Sequence, residues 1–493
     1  MKRIRAKQNV PQVYESDKLN EECGIFGILS NDDHEAEKIV YQGLFALQHR
    51  GQESCGIAVS DFKNIRYHKE MGLVARVFDD HTLNKLSGGR IAIGHVRYST
   101  MGASYLHNAQ PLVLKYKKGT LALAHNGNLV NAKALRTDME EAGAVFQTSV
   151  DSEIIANLIA RFSEHGIIEA VKRTVAIIEG AYALLIMTED KMIAVRDPNG
   201  MRPLALGKID NSYMVASESC AFDAVGGSLI RDIKPGEIVI IDRVGLNKLQ
   251  THVPLKSALC IFEFVYFART DSIIDGISVY MARKAAGARL ALEHPVDADL
   301  VIGVPDSGTT AALGYSEASG IPFGEGLVKN RYIGRTFIQP NQQMRELGVR
   351  MKLNALSKIL KGKRVVMIDD SIVRGTTSKK IVEMLKIAGA KEVHMRISSP
   401  PVMYPCHFGI DTPNRRQLIG ASKTVSEICK TIGADSLEYL SLEGLSKTVE
   451  DGSGGFCQGC FNNEYPMDVK SDDRLDIAEE DLLKGEEQDG DDL

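Results

Sequence analysis

A chain of 493 residues is too long for one ordinary hydrophobic core, and its length predicts two or three domains. At 44% apolar and 25% charged residues it has a soluble globular composition, and no apolar run is long enough to span a bilayer. The formal charge of −5 divides unevenly: residues 471–493 hold eleven acids and two bases, leaving the rest at +4, a balance that suits anionic small substrates and lacks the concentrated basic face of a nucleic-acid binder. The N-terminus, "MKRIRAKQNVPQVYESDK", is basic but has no apolar h-region, so it does not read as a secretory signal, and a cytoplasmic location is expected.

The first cysteine lies in "LNEECGIFGILSND", residues 19–32, where Cys23 joins two acids to an apolar strand. A packed thiol at a strand edge would look the same. Removal of residues 1–22 would instead leave Cys23 as a nucleophile beside its own α-amine. A helix is predicted over 34–50, with Ile39, Val40, Gly43, Leu44 and Leu47 on one face. Strands are predicted over 23–29, 55–61, 90–100, 121–130, 181–190, 191–198, 212–219 and 237–243. Runs of strands with few helices between them argue for stacked sheets. Near residue 256 the rhythm changes: helix 278–294, strand 299–308, strand 363–370, helix 378–390 and strand 392–399 alternate as in a parallel α/β sheet. The division expected is a leader over 1–22, domains over 23–253 and 254–470, and an acidic, disordered tail over 471–493.

"RVVMIDDSIVRGTTSKKIVEML", 364–385, places Asp369 and Asp370 at the carboxyl end of a buried strand, where open α/β sheets bind ligands. Adjacent carboxylates there can hold Mg²⁺ or sugar hydroxyls. The loop that follows, with Ser371, Arg374, Gly375, Thr376, Thr377 and Ser378, offers hydroxyls, backbone N–H groups and a helix N-terminus, which make an anion cradle. "VIGVPDSGTTAALGY", 301–315, is a second strand–loop–helix with Asp306, Ser307 and Gly308 in its turn. Between the two lies "VKNRYIGRTFIQPNQQMRELGVRMKLN", 328–354, rich in arginine and lysine and suited to close over a polyanion. The eight cysteines of an intracellular chain should be reduced, and only Cys457 and Cys460 in "GFCQGCFNNEYP" have ligand-like spacing. With Cys260 and Cys406 they could hold Zn²⁺ or a [4Fe–4S] cluster, and spacing does not choose. Cys55, Cys220 and Cys429 read as packed thiols.

The loop of 364–385 resembles the phosphoribosyl-pyrophosphate (PRPP) signature of type I phosphoribosyltransferases. "QHRGQESCGIAVSD" (48–61), "GHVRYSTMG" (94–102), "AHNGNLVN" (124–131) and "TSVDSE" (148–153), following Cys23 in order, resemble the class II, or N-terminal-nucleophile, glutamine amidotransferases. That order of halves is similar to the glutamine PRPP amidotransferases, over roughly residues 20–465. The resemblance implies an N-terminal αββα sandwich followed by a parallel α/β transferase domain. It implies that Cys23 attacks glutamine with its α-amine as base, that Asn126 and Gly127 form the oxyanion hole, and that Arg97 and Asp151 bind the substrate carboxylate and ammonium. It further implies PRPP binding by Asp306, Ser307, Gly308, Lys329, Arg335, Asp369, Asp370 and residues 371 and 374–378, with Mg²⁺ at Ser307, Asp369 and Asp370. In the Bacillus-type branch, which carries a cleaved leader, Cys260, Cys406, Cys457 and Cys460 match ligands of a [4Fe–4S] cluster. The reaction implied converts PRPP, glutamine and water to 5-phospho-β-D-ribosylamine, glutamate and pyrophosphate in purine synthesis, with purine nucleotide feedback and homo-oligomers, typically tetramers. The competing reading is an ammonia-only transferase or a non-catalytic PRPP sensor.

Overall fold

The computed structural model describes residues 23–32, 34–98, 105–250, 256–330, 353–450 and 454–469. The expected leader, the acidic tail, Arg335 and the body of the basic segment 328–354 lie outside the described residues.

The first half is built on two antiparallel sheets. Seven strands form one, in the order Ser228–Asp232, Ala205–Ile209, Ser212–Ala216, Gly24–Leu29, Ile91–Arg97, Ser54–Ser60 and Ile65–Met71. Six form the other: Gly245–Gln250, Glu237–Asp242, Lys191–Arg196, Gly180–Met187, Gly119–Leu129 and Leu112–Tyr116. Both faces of the central strands are apolar, because each sheet is covered twice. Ile25, Ile93, Ala124, Leu185 and Val215 fill the layer between the sheets. Outside the first sheet lies the helix Ala36–Ala46, its Val40 and Leu44 packed beside Phe26 and Ile28. Gly43 lets that helix approach, since a Cβ there would sit 2.5 Å from the Phe26 ring. Helices Ala132–Glu141, Ser152–Phe162 and Ile167–Val175 cover the second sheet. The strand pattern does not anticipate this helical run, but the expected αββα layering is present.

In the second half four parallel strands, Leu300–Gly303, Arg364–Asp369, Glu392–Ile397 and Ser436–Tyr439, form the sheet in chain order. Apolar clusters lie on both of its faces. The helices Val279–Glu293, Ser307–Ser319 and Thr376–Ile387 supply the alternation that the sequence predicts. Leu327–Lys329 pairs with Leu353–Ala355, so the two ends of the basic segment meet in one short antiparallel ladder.

Charge joins the halves. Arg50, 1% exposed, donates from Nε to Glu218 and from Nη2 to Glu263 at 2.5 Å. Burial raises the Glu218 carboxyl, but Arg50 and His49 overcome that and hold it well below its usual range. A second seam is the fork of Arg196 onto Asp275, at 2.8 and 2.9 Å. Removing one partner of a buried pair strands the other charge, at a cost of about 3–5 kcal/mol. Glu263→Leu is accordingly expected to lower the denaturant midpoint of the whole chain by a stability loss of that size.

Candidate functional site

Cys23 stands just before the strand Gly24–Leu29, whose Gly24 is registered with Val96 of the neighbouring strand. This register puts Cys23 next to Arg97 and Tyr98. Its Sγ donates to the Tyr98 carbonyl oxygen at 3.6 Å, and the charges that reach it are those of Arg97, Glu53 and Asp151. Burial pushes the thiol up to about 11, so within the continuous chain it stays protonated near neutrality and needs a base to become a nucleophile.

Arg97 is buried, with Nη1 3.6 Å from Glu53. Asp151 stands at the start of the helix Ser152–Phe162, accepts from the Leu129 N–H at 2.9 Å and lies 3.5 Å from His125 Nδ1. Burial raises its carboxyl, but the His125 neighbour and the backbone donors more than offset this, leaving it below its ordinary value. A buried cation and a buried anion that both reach one thiol match the two charges of a zwitterionic amino acid.

Asn126 and Gly127 come from the facing sheet. Asn126 is 1% exposed, and its Nδ2 has no hydrogen-bond partner among the described residues. An unmet buried donor costs free energy unless a ligand takes the bond, so this amide is available to an oxyanion. Gly127 has φ +145°, and a Cβ would lie 2.0 Å from the Ala181 carbonyl oxygen, so no other residue fits this backbone. His95 Nε2 donates to the His125 carbonyl at 3.1 Å and so ties the sheet carrying Arg97 to the strand carrying Asn126. The short motifs do not show this bond, which pairs residues of different sheets; Glu53, in contrast, sits within "HRGQES".

The second site gathers around the carboxyl ends of the parallel strands. Asp369 and Asp370 are buried, 1% and 0% exposed. Ser307 donates its hydroxyl to Asp370 Oδ2, and Ser371 donates to Oδ1 at 2.6 Å. The Arg283 guanidinium, anchored on the Phe264 and Ala268 carbonyls at 2.8 Å each, lends Asp370 its positive charge. Gly308 lets the helix Ser307–Ser319 approach the strand end, because a Cβ would be 2.4 Å from the Ile368 carbonyl. Lys329 reaches Asp306 at 2.5 Å, both of them exposed. Gly375 has φ +84° and begins the helix Thr376–Ile387, bringing Thr376, Thr377 and buried Ser378 to its first turn, while Arg374 donates to Gln417 at 3.2 Å. Hard carboxylate and hydroxyl oxygens beside a helix N-terminus can hold a divalent cation and a phosphate. Of the expected residues of this site, contacts join Ser307 and Ser371 to Asp370 and Lys329 to Asp306, residues 374–378 follow on the adjoining loop and helix start, and Arg335 lies outside the described residues.

The cysteines also converge. Cys260 is registered with Cys457 in a short parallel ladder, Cys460 lies on the next helix, Gly459–Asn462, and Cys406 is close enough to influence the acidity of both Cys457 and Cys460. All four are free thiols. Burial pushes Cys457 up to about 12 and Cys460 well above its usual value. Cys55 and Cys220 are buried and Cys429 half-buried, as expected of packed thiols.

Layered antiparallel sheets around a cysteine edge, joined to a parallel sheet with an acidic pair and an anion loop, define a glutamine amidotransferase fused to a phosphoribosyltransferase. Family profiles agree: a glutamine amidotransferase domain matches residues 95–224 and a phosphoribosyl transferase domain residues 278–398. The amidophosphoribosyltransferase of Bacillus subtilis is 50% identical over 470 residues, covering 94% of this chain and 98% of that one. That of Archaeoglobus fulgidus is 52% identical over 455 residues, covering 92% and 99%. The solved glutamine PRPP amidotransferase of B. subtilis, complexed with ADP and GMP, superposes with a TM-score of 0.86 at 50% identity over 91% of this chain and 98% of that one. The chain belongs to the amidophosphoribosyltransferase family, the glutamine-dependent PRPP amidotransferases of purine biosynthesis.

The tie between the sheets carries a pH dependence. Burial depresses the His95 imidazole to about 3. The unfolded chain therefore takes up a proton below roughly 6.5 that the folded chain refuses, and this stability is present above 6.5 and lost as pH falls toward about 3. Denaturation midpoints measured across that range should fall with pH, and less steeply in His95→Gln, which has no proton to take up.

Proposed function

We propose that Cys23, once freed from residues 1–22, attacks the glutamine amide with its own α-amine as general base. That amine titrates at roughly 7.7–8.0, close to working pH, and so can take a proton that the enclosed thiol holds. Arg97 and Asp151 clamp the two charges of the amino acid. The oxyanion of the tetrahedral intermediate is met by the Asn126 amide and the Gly127 N–H, the ammonia leaves, and water releases glutamate from the γ-glutamyl thioester. The observation that carries this reading is the buried, unpartnered Asn126 Nδ2 in the site of a protonated thiol.

At the second site residues 371 and 374–378 hold the 5′-phosphate, Asp306, Ser307, Gly308 and Lys329 address the pyrophosphate, and Arg335 is a further PRPP-binding residue. Ammonia passing internally from the first site attacks C1 of the ribose as pyrophosphate departs. Ser307, Asp369 and Asp370 would hold Mg²⁺, which supplies charge neutralisation for the pyrophosphate leaving group. Cys260, Cys406, Cys457 and Cys460 would hold a [4Fe–4S] cluster with a structural role, since neither half-reaction transfers electrons; four free thiols brought together from three separate segments support this. The B. subtilis relative solved with ADP and GMP supports feedback by purine nucleotides. No helix among the described residues is long and apolar enough to cross a membrane. A cytoplasmic homo-oligomer, a tetramer, completes the reading.

The test is Cys23→Ala beside the parent chain, each with its intact mass. The parent should have lost residues 1–22 and its glutamine turnover should rise with pH through the amine's range; the variant should lose glutamine use and still make ribosylamine from ammonia. An intact leader on a glutamine-active chain, or glutamine use by the variant, overturns the assignment. Anaerobic preparations should also contain iron and acid-labile sulfide in equal amounts, both lost in Cys457→Ser.

A further inference from the structure

The strand that carries Asn126 and Gly127 is not held by its own domain alone. Asn128 lies two residues beyond Asn126, so its side chain shares the same face of the strand. It is buried, and its Nδ2 donates to the carbonyl oxygen of His407, in the transferase half, at 2.8 Å. The next carbonyl of that half, Phe408, accepts from Nε of buried Arg202 at 3.0 Å and also from its Nη2. Arg202 is fixed in turn, for its backbone N–H and that of Tyr182 both donate to Asp197 Oδ2 at 3.4 Å, and Tyr182 is the ladder partner of Gly127. Gly409 comes next, with φ +110°. A Cβ there would lie 3.1 and 3.2 Å from the carbonyl carbon and Cα of Gly127 and 3.0 Å from Arg202 Nη2. His407 and Gly409 of the transferase half thus meet this stretch of strand directly, while Phe408 between them holds Arg202, and both Ala181 and Gly409 crowd the backbone of Gly127.

We propose that residues 407–409 are a positioning element for Asn126 and Gly127, so that glutamine hydrolysis depends on a loop of the transferase half that touches no part of the glutamine. The proposal rests on the reading of Asn126 and Gly127 as the oxyanion donors. Such donors act by preorganisation, and a displacement of about 1 Å can cost on the order of a hundredfold in rate. The Asn126 donor nitrogen has no partner among the described residues, so its aim is set by the backbone beneath it. That backbone is what Asn128 and Gly409 hold. Asn128 and Gly409 are positioning residues, and Arg97 and Asp151, which would bind the substrate, stand on other elements.

The test uses the full chain with Asn128→Ala, Asn128→Asp and Gly409→Ala. For each, the kcat and KM for glutamine are measured with ammonia-dependent ribosylamine formation, the alkylation rate of Cys23 by iodoacetamide, and thermal unfolding. The expected result is a fall of about tenfold or more in kcat for glutamine with KM unchanged, while ammonia use and Cys23 alkylation remain at the parent's level. Asn128→Asp should be the more severe at this position, because it sets a carboxylate against the His407 carbonyl. The mildest substitution, Asn128→Ser, keeps a hydroxyl for that carbonyl and should recover part of the loss. Unchanged kcat in folded variants overturns the proposal, as does a parallel fall of glutamine and ammonia activities or of folding itself, which would mark a merely structural contact. Glutamine use by Cys23→Ala would instead overturn the underlying site assignment, and the two failures are thereby separate.

Discussion

The guanidinium of Arg50 sits where three parts of the molecule meet. Its neighbours Glu218 and Glu263 belong to the two different halves, and both carboxylates are fully buried. Its loss would strip each of them of a buried cation, and a buried carboxylate short of a partner costs several kcal/mol. Gly51, the next residue, packs against the backbone at Val96 and Arg97, where a Cβ would come within 2.5 Å. The ion pair therefore anchors the turn beneath the Cys23 site as well as the junction. On the far side, Glu263 begins a helical turn whose carbonyls hold Arg283, and Arg283 faces Asp370. A line of charge, alternating in sign, runs between the two chemical sites.

Both sites use burial to opposite ends. At Cys23 desolvation suppresses the thiolate, so the thiol needs a base to become a nucleophile. At Asp369 and Asp370 enclosure makes anionic oxygens costly unless hydroxyls and positive charge face them, as Ser307, Ser371 and Arg283 do at Asp370. At Cys457 and Cys460 burial likewise makes the free thiolate unfavourable.

Much of this was legible in the chain. Asp369 and Asp370 follow four apolar residues and precede R-G-T-T-S, and a strand end followed by a helix start needs only local order to make an anion site. Cys23, "HNGN" and "SVDSE" carry no such local signature one by one; their roles came from the resemblance that the ordered set bears to the class II glutamine amidotransferases. Less visible were the helices over 132–175, whose strongest cue is an amphipathic period diluted by charged residues, and the contacts made by Glu53, His95, Asn128 and Arg202. Each of these pairs with a group far away in sequence, Asn128 with a carbonyl 279 residues on, and no local pattern encodes such a distance.

The sequence by itself determined which chemistries were present, because thiol, amide, guanidinium and carboxylate carry their reactivity wherever they stand. It also determined the layering of both halves, through the alternation and length of its apolar runs. Only the tertiary structure decided what those groups face. It tied His95 to His125 across two sheets and set residues 407–409 against the strand of Asn126. The physical reason is that donor aim and acidity depend on neighbours within a few ångströms, and those neighbours are assembled by packing of both halves rather than by order along the chain.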